Sequence, residues 1–96
     1  MTPEQQRIAI AEACGWYFMD DSWHYPNGAN AITTPDYLND LNAMHDAEET
    51  LDYNQMNRYQ NIELSRFVHT ETTWICSATA AERAEAFLRT LDLWTP

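Results

Sequence analysis

Ten residues, Trp16-Tyr-Phe-Met-Asp-Asp-Ser-Trp-His-Tyr25, stand between two stretches patterned as helices. Aromatic and β-favouring residues in a short run bounded by turn formers fit strands, not helix. The run divides into strands at roughly 16–19 and 22–25 around a two-residue turn, Asp20-Asp21. That turn opposes Met19 to Ser22, Phe18 to Trp23, Tyr17 to His24 and Trp16 to Tyr25. Alternation then gathers Trp16, Phe18, Trp23 and Tyr25 on one face of the ribbon. A hairpin enclosed by helices restricts the chain to an α+β fold. Pro26-Asn27-Gly28 closes the ribbon as a turn, and residues 29–34 read as a connector.

The helices announce their starts. Thr2-Pro3-Glu4-Gln5 combines an N-cap, a proline at the first helical position and a capping box, and Gly15 ends the helix it begins. Thr34-Pro35 repeats the cap-then-proline pattern. In the stretch that follows, Tyr37, Leu38, Leu41, Met44, Glu48 and Leu51 share one face, a buried stripe with Glu48 as its misfit. Asp52 caps a third helix over 53–67, whose periodicity is weak: Tyr59 or Gln60, and Ile62 or Glu63, compete for the inner face. Thr72 to Ala78, rich in Thr, Trp and Ile, reads as the third strand. Thr79-Ala-Ala-Glu82 is a capping box, and Ala84, Phe87, Leu88 and Leu91 follow at helical spacing. The expected architecture is one domain over residues 1–96: about four helices on a small three-stranded antiparallel sheet, in the order α-β-β-α-α-β-α, an α-β-α sandwich. Trp16, Phe18, Trp74, Phe87, Leu88 and Leu91 are its expected core.

Charge is segregated. Residues 35–52, PDYLNDLNAMHDAEETLD, carry six carboxylates and no base. Across the chain 15 acids oppose five bases, all of them Arg, for a net charge of −10. Nine acids and no base lie between Ile8 and Asn57, whereas Arg58 to Pro96 holds four Arg against five acids. Like charges one helical turn apart, such as Asp36–Asp40 and Asp46–Glu49, each cost a few tenths of a kcal/mol. Such a chain repels nucleic acid and anionic membranes and is drawn to basic surfaces. No apolar run approaches the ~18 residues of a membrane span, and the N-terminus lacks the regions of a signal peptide. The expectation is a cytoplasmic protein with Cys14 and Cys76 as reduced core thiols, although spacing leaves a disulfide open.

Catalytic and metal chemistry find little support. His45 and Glu49 have ligand spacing but no evident third ligand, and no EF-hand rhythm is present. Ser65, Ser77, Cys14 and Cys76 sit in no nucleophile signature. Carboxylates on exposed helix faces stay ionised and do little acid–base work. Neither of the two glycines lies in a phosphate-cradling loop. No enzyme activity, metal or cofactor is expected.

Three stretches, TPEQQRIAIAEACGW (2–16), PDYLNDLNAMHDAE (35–48) and ATAAERAEAFLRTLDLW (78–94), resemble a family of small bacteriophage and prophage proteins with the phage ABA (α-β-α) sandwich domain. The resemblance implies a phage origin, hence the cytoplasm of an infected host, and the sandwich fold; it brings no catalytic or binding residues. With the charge pattern, it suggests a non-catalytic inhibitor of host defence, of anti-CRISPR or another anti-defence type. Asp36, Asp40, Asp46 and Glu49, with Asp20 and Asp21, would meet a basic patch on a host protein. The rival expectation is a small-molecule binder that sequesters a nucleotide signal through Trp23, Tyr25, Arg58 and Arg66. Self-association is left open under either reading.

Overall fold

The computed structural model describes residues 1–67 and 78–96. Among them are four α-helices, α1 (Pro3–Ala13), α2 (Leu41–Glu48), α3 (Tyr53–Arg58) and α4 (Ala80–Thr90). Three short strands, β1 (Tyr17–Met19), β2 (Ser22–His24) and β3 (Asn30–Ala31), form one antiparallel sheet in that order. A π-helical turn, Tyr59–Glu63, and a 3₁₀ turn, Leu64–Arg66, continue α3. The fold is α+β.

Reciprocal caps start three of the helices. Thr2 and Gln5, Asp52 and Gln55, and Thr79 and Glu82 each exchange two backbone-to-side-chain hydrogen bonds of 2.8–3.1 Å. These satisfy amide donors that the first helical turn leaves without partners. At the other end of α1, Gly15 has φ +97°, and a Cβ there would stand 3.3 Å from the Pro26 ring. Its left-handed turn lets the amide of Trp16 reach the carbonyl of Ala11 at 3.0 Å, and so steers the chain from helix into ribbon.

The hairpin has the expected register: Tyr17 opposite His24, Phe18 opposite Trp23, Met19 opposite Ser22. Asp20 and Asp21 have φ 54° and 61°, as a two-residue turn between right-twisted strands demands. Trp16 and Tyr25 meet at 4.5 Å between ring centres and Phe18 and Trp23 at 5.5 Å, so the four aromatics do share a face. Of the four, Trp16 alone packs against the core. Phe18 is 59% exposed, and Trp16 and Trp23 are half-buried. The ribbon instead braces itself from its other face. His24 is buried, stacks on Tyr17 at 5.0 Å and lies within hydrogen-bond distance of the Met19 and Gly28 carbonyls.

Two further expectations change. The third strand described is β3, within the segment read as a connector; it pairs Ala31 with Trp23 and Asn30 with His24. The strand expected over 72–78, with Trp74, lies outside the described residues except for Ala78, which is buried and in no strand. The second helix starts at Leu41, not Pro35. Asp36 and Asp40 form a turn in which the Asp36 carbonyl accepts from the amides of Asn39 and Asp40 at 3.2 and 2.9 Å. Asp40 is the N-cap, accepting from Asn42 N at 2.9 Å and Ala43 N at 3.4 Å. Two start signals stand in tandem, and the one whose side chain satisfies two amide donors wins. Leu41 moves out of the buried stripe and is 45% exposed, while Ala43 and Ala47 enter it.

The core forms around α4, on which α1, α2 and the π turn pack. Phe87, Leu88 and Ala84 are fully buried with Ile10, Met44, Tyr59 and Leu64. Leu91 is half-buried against this cluster. The π turn explains the weak periodicity of the third helix. A wider turn shifts the phase of the residues after it, so Tyr59, Glu63 and Leu64 are buried and Ile62 is exposed.

Glu48, the misfit of the α2 stripe, has its partners inside. Arg83 on α4 donates to Glu48 Oε2 at 2.7 Å, and the Tyr59 hydroxyl donates to the same oxygen. The Arg83 and Glu48 side chains are only 9% and 12% exposed. Burial first, and the Glu48 carboxylate next, push the Tyr59 hydroxyl far above its ordinary 10, so it remains a donor at any physiological pH. Burial pulls Arg83 down, but Glu48 more than offsets this and keeps it charged.

Two stability outcomes follow from this core. Phe87→Ala leaves a cavity at the centre of α4 and should cost roughly 3–5 kcal/mol in urea denaturation. Glu48→Ala removes the oxygen that accepts from both Arg83 and Tyr59 and should cost about 1–3 kcal/mol by the same measurement, because the buried Tyr59 hydroxyl loses its acceptor.

Candidate functional site

Asp40 and Asp46, two of the acids expected to meet a partner, line the same pocket. It has a volume of about 430 Å³, and its other walls include Cys14, Trp16, Tyr37 and Thr50. Asp40 stands at the N-cap of α2 and Asp46 one and a half turns further along it. Tyr37 comes from the turn before the helix, while Cys14 and Trp16 flank Gly15. The glycine turn therefore brings a thiol and an indole against the acidic helix.

The polar groups of this wall are tied to one another. Cys14 Sγ lies 4.0 Å from Thr50 Oγ1, which itself donates to the Ala47 carbonyl at 2.7 Å. Burial pushes the Cys14 thiol up from its ordinary 9.0, and hydrogen bonds with Thr50 and Tyr37 only partly offset it. Burial, and then Cys14 beside it, also raise the Tyr37 hydroxyl well above 10. Both groups are neutral at physiological pH, so the charge in the pocket is that of Asp40 and Asp46. An aromatic ring beside two carboxylates is the lining that a Lys or Arg side chain matches.

The remaining expected acids are placed differently. Asp36 lines a separate groove with Pro3, Glu4, Arg7 and Leu38, where it accepts from the Asn39 side-chain amide at 3.2–3.3 Å. Glu49 is exposed at the end of α2, and Asp20 and Asp21 are exposed at the hairpin tip. What these positions share is the lack of an internal countercharge. Each of the five arginines is engaged by an acid elsewhere: Arg7 by Glu4, Arg58 by Glu63 and Asp92, Arg66 by Glu63, Arg83 by Glu48, Arg89 by Glu85. Among the described residues nine acids form no ion pair, and eight of them lie between Glu12 and Asp52.

The residues named for a nucleotide site do not come together in one cavity. Trp23 lines a groove with Ile8, Glu12, Tyr17 and Phe18, and Tyr25 packs on Trp16. Arg58 and Arg66 line a different cavity, with Arg89 and Trp94. Among the described residues no three His, Cys, Asp or Glu side chains are grouped to hold a metal ion, and His45 is exposed on α2. No described helix is long and apolar enough to cross a membrane.

The sequence named the acids as candidates but gave no sign of the pocket that Asp40 and Asp46 line. Cys14, Trp16 and Tyr37 carried only core signals, and what joins them to Asp40 and Asp46 is the tertiary contact of the Gly15 turn with α2. No family model matches the chain, and no curated protein or solved structure does either.

A thiol with a raised pKa holds little thiolate and reacts slowly. Cys14 should therefore be alkylated by iodoacetamide at neutral pH several-fold more slowly in the folded protein than in urea. Peptide mass mapping of the Cys14 peptide over time checks this.

Proposed function

We propose that this chain acts by binding and not by catalysis, and that its acidic surface docks on a basic patch of another protein. The observation that carries this reading is the distribution of charge: every arginine is engaged by a carboxylate, and nine described acids form no ion pair. Asp20, Asp21, Asp36, Asp40, Asp46 and Glu49 are the docking residues, and the pocket between Asp40, Asp46 and Trp16 would receive a Lys or Arg side chain of the partner. On the resemblance of its helices to phage ABA-sandwich proteins, we place it as a phage or prophage accessory protein in the cytoplasm of an infected host. Its partner is then a host protein, and the role is inhibition of host defence, of anti-CRISPR or a related kind. Copies of so acidic a face repel one another, so self-association would have to use another surface.

Complementary charge mainly speeds encounter and selects the partner. Association should slow steeply as salt shortens the screening length below its physiological ~8 Å. The sites must be changed with the fold in mind. Asp40 caps α2, so Asp40→Ser keeps a capping oxygen while removing the charge; Asp46→Lys and Glu49→Lys reverse charges that cap nothing. A host-lysate pull-down with the parent and the triple variant, repeated at low and high salt, is the test. The parent should retain a basic protein at low salt and the variant should lose it. Equal recovery of the same partners by both proteins would show that the acids do not dock.

A further inference from the structure

Three of the five arginines, Arg58, Arg66 and Arg89, line one cavity of about 260 Å³ with Glu63, Asp92 and Trp94. In a chain of net charge −10 its walls carry more positive than negative groups. The three come from separate places: the end of α3, the 3₁₀ turn, and the last turn of α4. The π turn brings the first two to one side, because its extra residue carries Glu63 inward between them.

Each guanidinium has a carboxylate at its Nε. Arg58 Nε is 3.5 Å from Glu63 Oε1 and Arg66 Nε is 3.3 Å from Glu63 Oε2, with Glu63 itself only 3% exposed. Arg89 Nε donates to Glu85 at 2.9 Å, and its guanidinium lies 5.1 Å from the centre of the Trp94 ring. The terminal nitrogens differ. Those of Arg58 are occupied, by Asp92 at 3.0 and 3.4 Å and by the Arg89 carbonyl at 2.9 Å. Those of Arg66 and Arg89 have no hydrogen-bond partner among the described residues. Two guanidinium ends are thus positioned at one cavity with their donors unused.

We propose that this cavity binds a single phosphate group, either inorganic phosphate or the terminal phosphate of a small monoester. The donor count decides the class. Two open forks offer more N–H donors than the two oxygens of a carboxylate can take, whereas the oxygens of a phosphate can meet both forks. Size and field decide the rest. A cavity of this volume has room for a phosphate or a small monoester of it, and the net negative charge of the chain repels a nucleic-acid strand. Carboxylates already at the Nε positions reduce the ordering cost, because the arginines need not be fixed at the moment of binding. The site shares no residue with the acidic docking surface and does not depend on it.

The test is titration of the full chain with inorganic phosphate, phenyl phosphate and acetate at low ionic strength, followed by calorimetry and by NMR of the arginine Nε–H and tryptophan indole signals. Inorganic phosphate and phenyl phosphate should bind saturably and shift Arg66, Arg89 and Trp94; acetate should bind about tenfold more weakly or less. Arg66→Gln alters an exposed side chain with a single ion pair and should weaken phosphate binding about tenfold, as loss of one charge-assisted contact implies. Arg89→Lys keeps the charge but loses the fork and should weaken it also, whereas Arg7→Gln, elsewhere on the surface, should not. Absence of saturation, equal affinity for acetate, unchanged affinity in both Arg66→Gln and Arg89→Lys, or an equal loss in Arg7→Gln would each overturn the proposal.

Discussion

One buried carboxylate oxygen, Oε2 of Glu48, ties three elements together: it accepts from Arg83 of α4 and from Tyr59 at the start of the π turn. Two of the helices around it are short. α2 has eight residues and α3 has six, lengths at which a helix does not persist alone in water. Their stability must come from docking, and docking of an apolar stripe of Ala43, Met44 and Ala47 fixes rotation only loosely, because apolar attraction is non-directional. A two-donor contact to one oxygen fixes it closely. An apolar trio of the same volume could match the network in free energy. What it could not supply is the penalty for every misaligned docking, in which a carboxylate and a guanidinium are buried without each other.

Much of this was readable from local chemistry. The hairpin register follows from a two-residue turn and a period of two, and both are properties of adjacent residues. Thr2, Asp52 and Thr79 mark helix starts because a capping oxygen acts within three residues of itself. The failures have longer range. Whether Phe18 is buried depends on what lies over the ribbon, which no alternation records. The start of α2 depended on a contest between Thr34-Pro35 and Asp40, settled by which side chain found free amides. The phase of the residues after Tyr59 was lost because a π turn obeys no 3.6-residue rule. For the candidate site, the acids showed as charges, but the pocket uniting Asp40 and Asp46 with Trp16 needs Gly15 to turn the chain back over α2.

The acid-rich half is less wasteful than its composition suggests. Asp40 and Asp52 cap helices, placing negative charge where the helix dipole favours it, and Asp36 holds its own turn through Asn39. These three would be retained by the fold whatever the protein did. Asp46 and Glu49 have no such employment, and Asp20 and Asp21 occupy left-handed backbone that Asn or Gly would adopt more readily. Where a residue is suboptimal for its backbone and lacks a partner, folding does not account for it, and the docking reading rests most heavily on those four.

The π turn at Tyr59–Glu63 has a consequence for how such a chain can change by insertion and deletion. A π turn holds one residue more than an α-helix needs. Losing one of Gln60, Asn61 or Ile62 would cost the helix nothing locally and would restore regular hydrogen bonding. It would also rotate all that follows by about 100°, the angle per residue of an α-helix. Arg66 would swing away from Arg58 and Arg89, and Glu63 would leave the interior. The extra residue thus records a length constraint on the chain: homologues that keep the arginine cavity should keep the residue count between Arg58 and Arg66, even where the residues between them vary.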